Sequence, residues 1–368
     1  MKKLGLTGLA VGLTLAFAGA ASAADITIGV AGPLTGQYAS FGQQFKNGAT
    51  LAIEDINKAG GVLGKKLVMD IQDDACDPKQ ARSVAEKLVN ANVPVVIGHF
   101  CSGSSIPASD VYSDAGVIEI TPASTNPKFT DRDKWNLFRV CGRDDQQGEV
   151  AGNYIAEHYK GKNIAIVHDK QTYSQGLADQ VEKTLKAKGV KIKMTEAFGK
   201  DDKDFNALVS RMKANNIDVV YLGGYHTSAG LMLRQMRQQG LQAQMISGDA
   251  MATDEFWSIT GDAGAGMMFT FGPDPTKRPT AAAVVKRFKD KGINPEGYTL
   301  YTYAAVQIWS EAAKKAGTTD PQKVAAEIHK GKWDTVLGPI SYDKKGDITR
   351  LDYVFYKWQK GGKYVEME

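Results

Sequence analysis

The 368-residue sequence predicts an α/β protein of two similar lobes, each a parallel sheet flanked by helices. Three observations point there. Short apolar runs alternate with amphipathic stretches of helical spacing, which is the pattern of parallel strands joined by helices. That rhythm runs to about Gly142 and restarts after about Asp144. The chain is also too long for one ordinary domain of ~100–200 residues.

The first apolar run is not part of the fold. Lys2 and Lys3 precede an apolar stretch over 4–18, and Ala21-Ser22-Ala23 supplies small residues ahead of Ala24. This is the pattern of a secretory signal peptide over 1–23, removed before the protein acts. A membrane anchor is the competing reading, but the run falls short of the ~20 residues a spanning helix needs. No cysteine stands at the cleavage point to carry a lipid.

Residues 26–30 (ITIGV) read as the first strand. A helix over 41–58 carries Phe45, Ala49, Ala52, Ile53 and Ile56 on one stripe, and Gly60-Gly61 ends it. A strand at 67–71 follows, then a helix from Pro78, where proline fits the first turn. Strands are expected at 93–98 and 117–121, with a helix after Ser105 between them. In the second half a helix over 145–159 leads to a strand at 164–167. Helix and strand pairs follow at 204–215 with 218–222, and at 229–239 with 245–246. The last stretch is less regular: helices at 299–315 and 321–330, a strand at 340–342, a turn at 343–347 and a strand at 353–358.

The formal net charge of +4 includes Lys2 and Lys3, so the chain from Ala24 carries +2, from 43 basic and 41 acidic residues. Near-neutrality argues against nucleic acid or an acidic membrane surface as main partner. Of Cys76, Cys101 and Cys141, the first two each follow a strand in adjacent βα units, whose loops meet at one sheet edge. Export permits a disulfide between them, leaving Cys141 free; three buried thiols is the alternative.

In open α/β sheets, ligands bind at the carboxyl ends of strands, beside helix N-termini. Two such ends are rich in hydroxyls: 99–105 (HFCSGSS), with Ser102, and 121–126 (TPASTN), with Ala123, Ser124 and Thr125. Helix-start N–H groups with Ser and Thr hydroxyls suit a carboxylate or phosphate, although ordinary helix capping uses the same residues. Tyr173, Tyr225 and Asp249 occupy strand-end positions in the second half. A hydroxyl-rich anion pocket facing an Asp and two Tyr suits a zwitterion; individually the Tyr suit packing and Asp249 a helix cap. No G-x-S-x-G elbow, P-loop, H-E-x-x-H or complete G-x-G-x-x-G occurs, and the five His show no ligand spacing. The sequence gives no reason to expect an enzyme, a cofactor or a metal.

Five blocks carry a resemblance: 73–80 (DDACDPKQ), 96–102 (VIGHFCS), 164–170 (IAIVHDK), 222–226 (LGGYH), and 337–340 (LGPI) with 345–347 (KGD). In order along the chain, they resemble the periplasmic Leu/Ile/Val-binding proteins of ABC importers. The resemblance implies a type I periplasmic-binding fold, with two Rossmann-like lobes joined by a three-crossover hinge. The lobes would be 24–142 plus 273–350, and 143–272 plus 351–368. It implies that Ser102 and Thr125, with backbone from Ala123, hold an α-carboxylate, and that Thr125 and Asp249 face the ammonium. Tyr173 and Tyr225 would be pocket residues of the second lobe. Phe41, Phe100 and Tyr298 would line the side-chain pocket, and Cys76–Cys101 matches the family disulfide. Two departures stand out: the family usually has Glu where Asp249 stands, and Phe41 and Phe100 are bulky. The implied role is capture of an amino acid, branched-chain by the family's preference, for permease subunits in the inner membrane, by a monomer in the periplasm. Relatives of this fold also bind γ-aminobutyrate, proline, other amino acids, amides or aromatic acids, and a sensory adapter is a further alternative.

Overall fold

The computed structural model describes residues 24–349 and 352–367; the leader expected over 1–23 lies outside the described residues. The chain opens with β1 (Ile26–Gly32), α1 (Ala39–Lys58), β2 (Leu67–Asp73), α2 (Pro78–Asn90), β3 (Val95–Ile97), α3 (Ser102–Ala115), β4 (Ile118–Thr121) and β5 (Leu137–Arg139). These strands form one parallel sheet in the order β2-β1-β3-β4-β5. β1, β3, β4 and β5 are buried along nearly their whole length, as a parallel sheet covered on both faces requires. α1 buries Phe41, Phe45, Ala49, Ala52 and Ile56, with Ile53 only partly covered. Asp77 caps α2, its carboxylate accepting from Lys79 N and Gln80 N at 2.9 Å each.

The chain then leaves this sheet. α4 (Asp144–His158), β6 (Ile164–His168), α5 (Thr172–Ala187), β7 (Ile192–Ala197), α6 (Asn206–Ala214), β8 (Val219–Gly223), α7 (His226–Gln238), β9 (Gln244–Ser247), α8 (Asp254–Thr260) and β10 (Met268–Phe271) build a second body. It returns to the first body with α9 (Ala282–Asp290), α10 (Thr299–Ala316), α11 (Pro321–Lys330) and the hairpin β11 (Lys332–Thr335) and β12 (Gly338–Ser341). α10 lies along α1. Gly48 permits the close approach, since a Cβ there would collide with Thr299 O. A third passage leads to β13 (Val354–Gln359) and β14 (Lys363–Glu366), which complete the second sheet in the order β14-β13-β10-β9-β8-β6-β7. β13 runs antiparallel to both neighbours, while β6 to β10 are parallel.

The alternation read from the sequence therefore stands, with shifted edges. α3 begins at Ser102 and not after Ser105, because the Ser-Gly-Ser-Ser run is itself the first helical turn. α7 begins at His226, three residues before the expected 229. β5, with three residues, and the edge strands β11 and β14 give too little pattern to be seen in the sequence.

Candidate functional site

Strand carboxyl ends of the two sheets face one another. On the first body, α3 starts at Ser102 directly behind Cys101, with no side chain capping its first N–H groups. Uncapped N–H groups at a helix start carry partial positive charge and favour an anion. Cys101 itself is bonded to Cys76, with a Cα–Cα distance of 5.6 Å, and Cys141 is a free, buried thiol. The pairing expected from the sequence is present, and it fixes the residue from which α3 grows.

The turn after β4 lies alongside. Thr121 Oγ1 accepts from Ala123 N (3.2 Å) and Ser124 N (2.9 Å) and donates to His99 O (2.7 Å). Asn126 N donates to Ser102 Oγ at 3.3 Å. Thr125 Oγ1 is buried without a hydrogen-bond partner among the described residues. Ser124 stands apart from the other candidates. Its hydroxyl donates to Phe100 O (2.9 Å) and pairs with Ser105 Oγ (2.6 Å), so it stabilises the loop and does not face the cavity. The N–H of Ala123 is likewise committed to Thr121.

On the second body, Tyr173 opens α5, Tyr225 precedes α7, and Asp249 follows β9. Asp249 is 3% exposed. Its carboxylate accepts from Tyr173 Oη at 3.0 Å and from Tyr298 Oη, which reaches across from the start of α10. No Lys, Arg or His pairs with it among the described residues. Burial pushes the Asp249 carboxyl above its ordinary range, against the lowering effect of the two hydroxyls. Burial and the Asp249 charge push the three tyrosines up, so they stay protonated donors. A buried carboxylate of this kind is costly without a cation.

Phe100, Ser102, Ala123, Tyr173, Tyr225, Asp249 and Ala250 line one small cavity between the bodies. The structure thus gathers six of the ten candidates into one lining. Thr125 is buried beside it, Tyr298 bonds its carboxylate, and Phe41 backs Phe100 as a stacked ring at 4.1 Å. A separate cavity lies where the chain passes between the bodies, against Cys141, Tyr298, Tyr301 and Arg278. It lacks the start of α3 and Asp249, and is not the candidate site.

The rim is closed by contacts between the bodies. Gln171 Nε2 donates to Tyr38 Oη (2.9 Å), Thr227 Oγ1 to Gln37 O (2.9 Å), and Asn126 Nδ2 to Thr172 O (3.0 Å). The Tyr38 and Tyr225 rings lie 4.4 Å apart.

One buried acid was missed in the sequence. Asp144, the first residue of α4, is fully buried, and both carboxylate oxygens lack a partner among the described residues. Burial first, and then the charge of Asp249, hold its carboxyl well above the usual range. Only its place directly after Arg143, at the restart of the rhythm, offered a signal.

The sequence pattern of periplasmic binding proteins matches residues 25–363. The chain belongs to the periplasmic binding protein family. This family member is 51% identical over 367 residues to Leu/Ile/Val-binding protein homolog 1 of Brucella abortus, covering 99% of each chain. It is 44% identical over 354 residues to the leucine-, isoleucine-, valine-, threonine- and alanine-binding protein of Pseudomonas aeruginosa, covering 96% of this chain and 95% of that one. Among solved structures it is similar to a leucine-binding protein, LivK, of Thermotoga maritima, with a TM-score of 0.87, 28% identity and coverage of 93% and 98%. It is also similar to LivJ of Streptococcus pneumoniae in complex with isoleucine, with a TM-score of 0.85, 26% identity and coverage of 93% and 100%. The two-lobed type I fold read from the sequence is the fold of these structures. Among the described residues of this periplasmic binding protein, no helix is long and apolar enough to cross a membrane, and no group of three or more His, Cys, Asp or Glu could hold a metal.

Proposed function

We propose that the chain captures an aliphatic α-amino acid, branched-chain or smaller, and delivers it to the permease of an ABC importer. The carrying observation is the buried Asp249 carboxylate, without a cationic partner, across a cavity from the uncapped start of α3. The ligand ammonium pairs with Asp249, and its carboxylate takes the first N–H groups of α3, the Ser102 hydroxyl and Thr125. Phe100 and Tyr225 enclose the side chain. Phe100, stacked on Phe41, narrows the space, which favours small aliphatic groups. The amino acids named for the Pseudomonas aeruginosa relative include branched-chain and smaller members. Asp249 is one methylene shorter than Glu, so the ammonium sits deeper than in relatives carrying Glu.

The lobes are 24–142 plus 273–350 and 143–272 plus 351–368, closing about the three passages between the sheets. Residues 1–23 are a signal peptide, the mature chain starts at Ala24, and the protein works as a monomer in the periplasm. The support is the Lys2-Lys3, apolar run and Ala-Ser-Ala sequence of the leader, and the family. A thermal-shift screen over the twenty amino acids, γ-aminobutyrate and aromatic acids tests the ligand class, because a ligand that binds only the folded state raises the melting temperature. Stabilisation by leucine, isoleucine, valine or alanine is expected. Stabilisation by aromatic acids alone overturns the reading.

A further inference from the structure

We propose that Arg139, held by Asp347, is the positioning residue that points the turn at Thr125 into the ligand pocket. The proposal rests on the reading that this turn receives the ligand carboxylate.

Arg139 ends β5 and is fully buried. Its Nη1 donates to Ser124 O at 2.7 Å, and its Nη2 donates to Asn126 O at 3.1 Å and to Thr130 Oγ1 at 2.7 Å. Its Nε donates to Asp347 Oδ1 at 2.6 Å. One guanidinium thus grips the carbonyls on both sides of Thr125.

A trans peptide sets the consequence. C=O and N–H of one peptide unit point in opposite directions. With the Ser124 carbonyl turned onto Arg139, the N–H of Thr125 is aimed the other way, away from the guanidinium. Residue 127 is Pro, so the peptide gripped at the Asn126 carbonyl has no N–H to compete. Thr125 O is fixed separately, accepting from Asp144 N at 2.9 Å. The turn therefore has every carbonyl from 124 to 126 engaged, while Thr125 keeps its side-chain oxygen unpartnered among the described residues.

Asp347 holds the guanidinium in place. It is 5% exposed and accepts from Arg143 Nη1 at 2.7 Å and from Thr130 Oγ1 at 2.9 Å. Arg139 N also donates to Gly346 O at 3.0 Å. Lysine has no planar fork to reach two carbonyls and a carboxylate at once. Asp347 and Arg139 sit at the third and first passages between the sheets, so the turn is built onto the frame about which the lobes move.

The test is calorimetric titration of wild type, Arg139→Lys and Asp347→Asn with L-leucine and L-leucinamide, and with L-alanine and L-alaninamide, alongside thermal melts. Wild type is expected to prefer the carboxylate over the amide by at least a hundredfold. Arg139→Lys should lose roughly thirtyfold or more in amino-acid affinity but under threefold in amide affinity, collapsing the preference. Asp347→Asn, which keeps the shape of the site, should lose about tenfold in the same selective way. General loss of packing would weaken both ligands together. Variants that keep the wild-type preference, whether weakened equally for both ligands or unchanged, overturn the positioning role. A wild-type protein that binds acid and amide alike, or neither amino acid, overturns the carboxylate reading itself and with it this role.

Discussion

Replacing Asp249 by Ala removes the acid proposed to face the ammonium. The carboxylate is 3% exposed and holds two tyrosine hydroxyls, so little water can replace it. Breaking a buried pair by removing one partner costs about 3–5 kcal/mol. At about 1.4 kcal/mol per tenfold, affinity should fall between roughly a hundredfold and a few thousandfold. Asp249→Asn isolates the charge, because its amide oxygen still accepts from one tyrosine. Hydrogen bonds to charged groups contribute about 1.5–3 kcal/mol, so roughly ten- to a hundredfold should be lost. The ligand-free protein should behave in the opposite sense. Burial raises the Asp249 carboxyl, so its ionised form opposes folding, and Asp249→Asn should melt at the same temperature or higher. The pH dependence follows from the same sign. Protons bind the native carboxyl above its ordinary titration range, so ligand-free stability declines as pH rises through that raised value. Amino-acid affinity rises across the same window, as the carboxylate that pairs the ammonium forms. Calorimetric titration with leucine and alanine, with melts of the free protein, measures both. If Asp249→Asn binds within threefold of wild type, the acid is a structural cap and the ammonium reading fails.

Glu296 offers a second titration at the contact between the bodies. Its carboxylate accepts from Asp254 N (2.5 Å) and Thr253 Oγ1 (3.2 Å), and burial with the Asp254 charge pushes it up to about 8. A raised carboxyl favours the closed arrangement at low pH and releases it as pH rises through about 8, so affinity should decline there in wild type but not in Glu296→Gln; identical titration curves for the two would refute this. Breaking Cys76–Cys101, which closes a loop of separation 25, should cost about 3.5 kcal/mol in urea unfolding by the loop-entropy relation, and an unchanged midpoint would refute it. Under denaturing, non-reducing conditions one thiol per chain, Cys141, should alkylate; three would show the bond absent. Small-angle scattering should give a smaller radius of gyration with saturating leucine or alanine, with Tyr38→Ala shrinking less because its tilted ring contact with Tyr225 is gone; a radius insensitive to a bound ligand would count against closure.

How much the sequence disclosed follows from the range of each interaction. β1, β4, β6 and β8 are apolar runs between helical stretches, a local signal, and they were legible. β5 is three residues ending in a buried Arg, and its strand character comes only from pairing with β4. The strand-end rule pointed to Ser102, Thr125, Tyr173, Tyr225 and Asp249, because topology fixes which loops converge. Side-chain direction was not legible. Ser124 sits in the right turn but faces the loop, since Ser105 and Phe100 O offer it closer partners. Arg139 and Asp347 lie 208 positions apart, and no local pattern announces their meeting. The unpartnered state of Asp144 likewise exists only once helix, turn and second sheet have assembled around it.

The second sheet places β13, from the end of the chain, directly against β10, while α10 packs beneath the first sheet from a stretch more than 150 residues downstream of β5. Neither body is a continuous piece of sequence. A single recombination joint between two relatives therefore cannot exchange one wall of the pocket intact. Any such joint would leave a sheet or a helix–sheet contact made of unmatched halves. Point substitution within one wall avoids that mismatch, since it leaves both sheets whole. A laboratory exchange of walls needs three joints, one in each passage between the sheets.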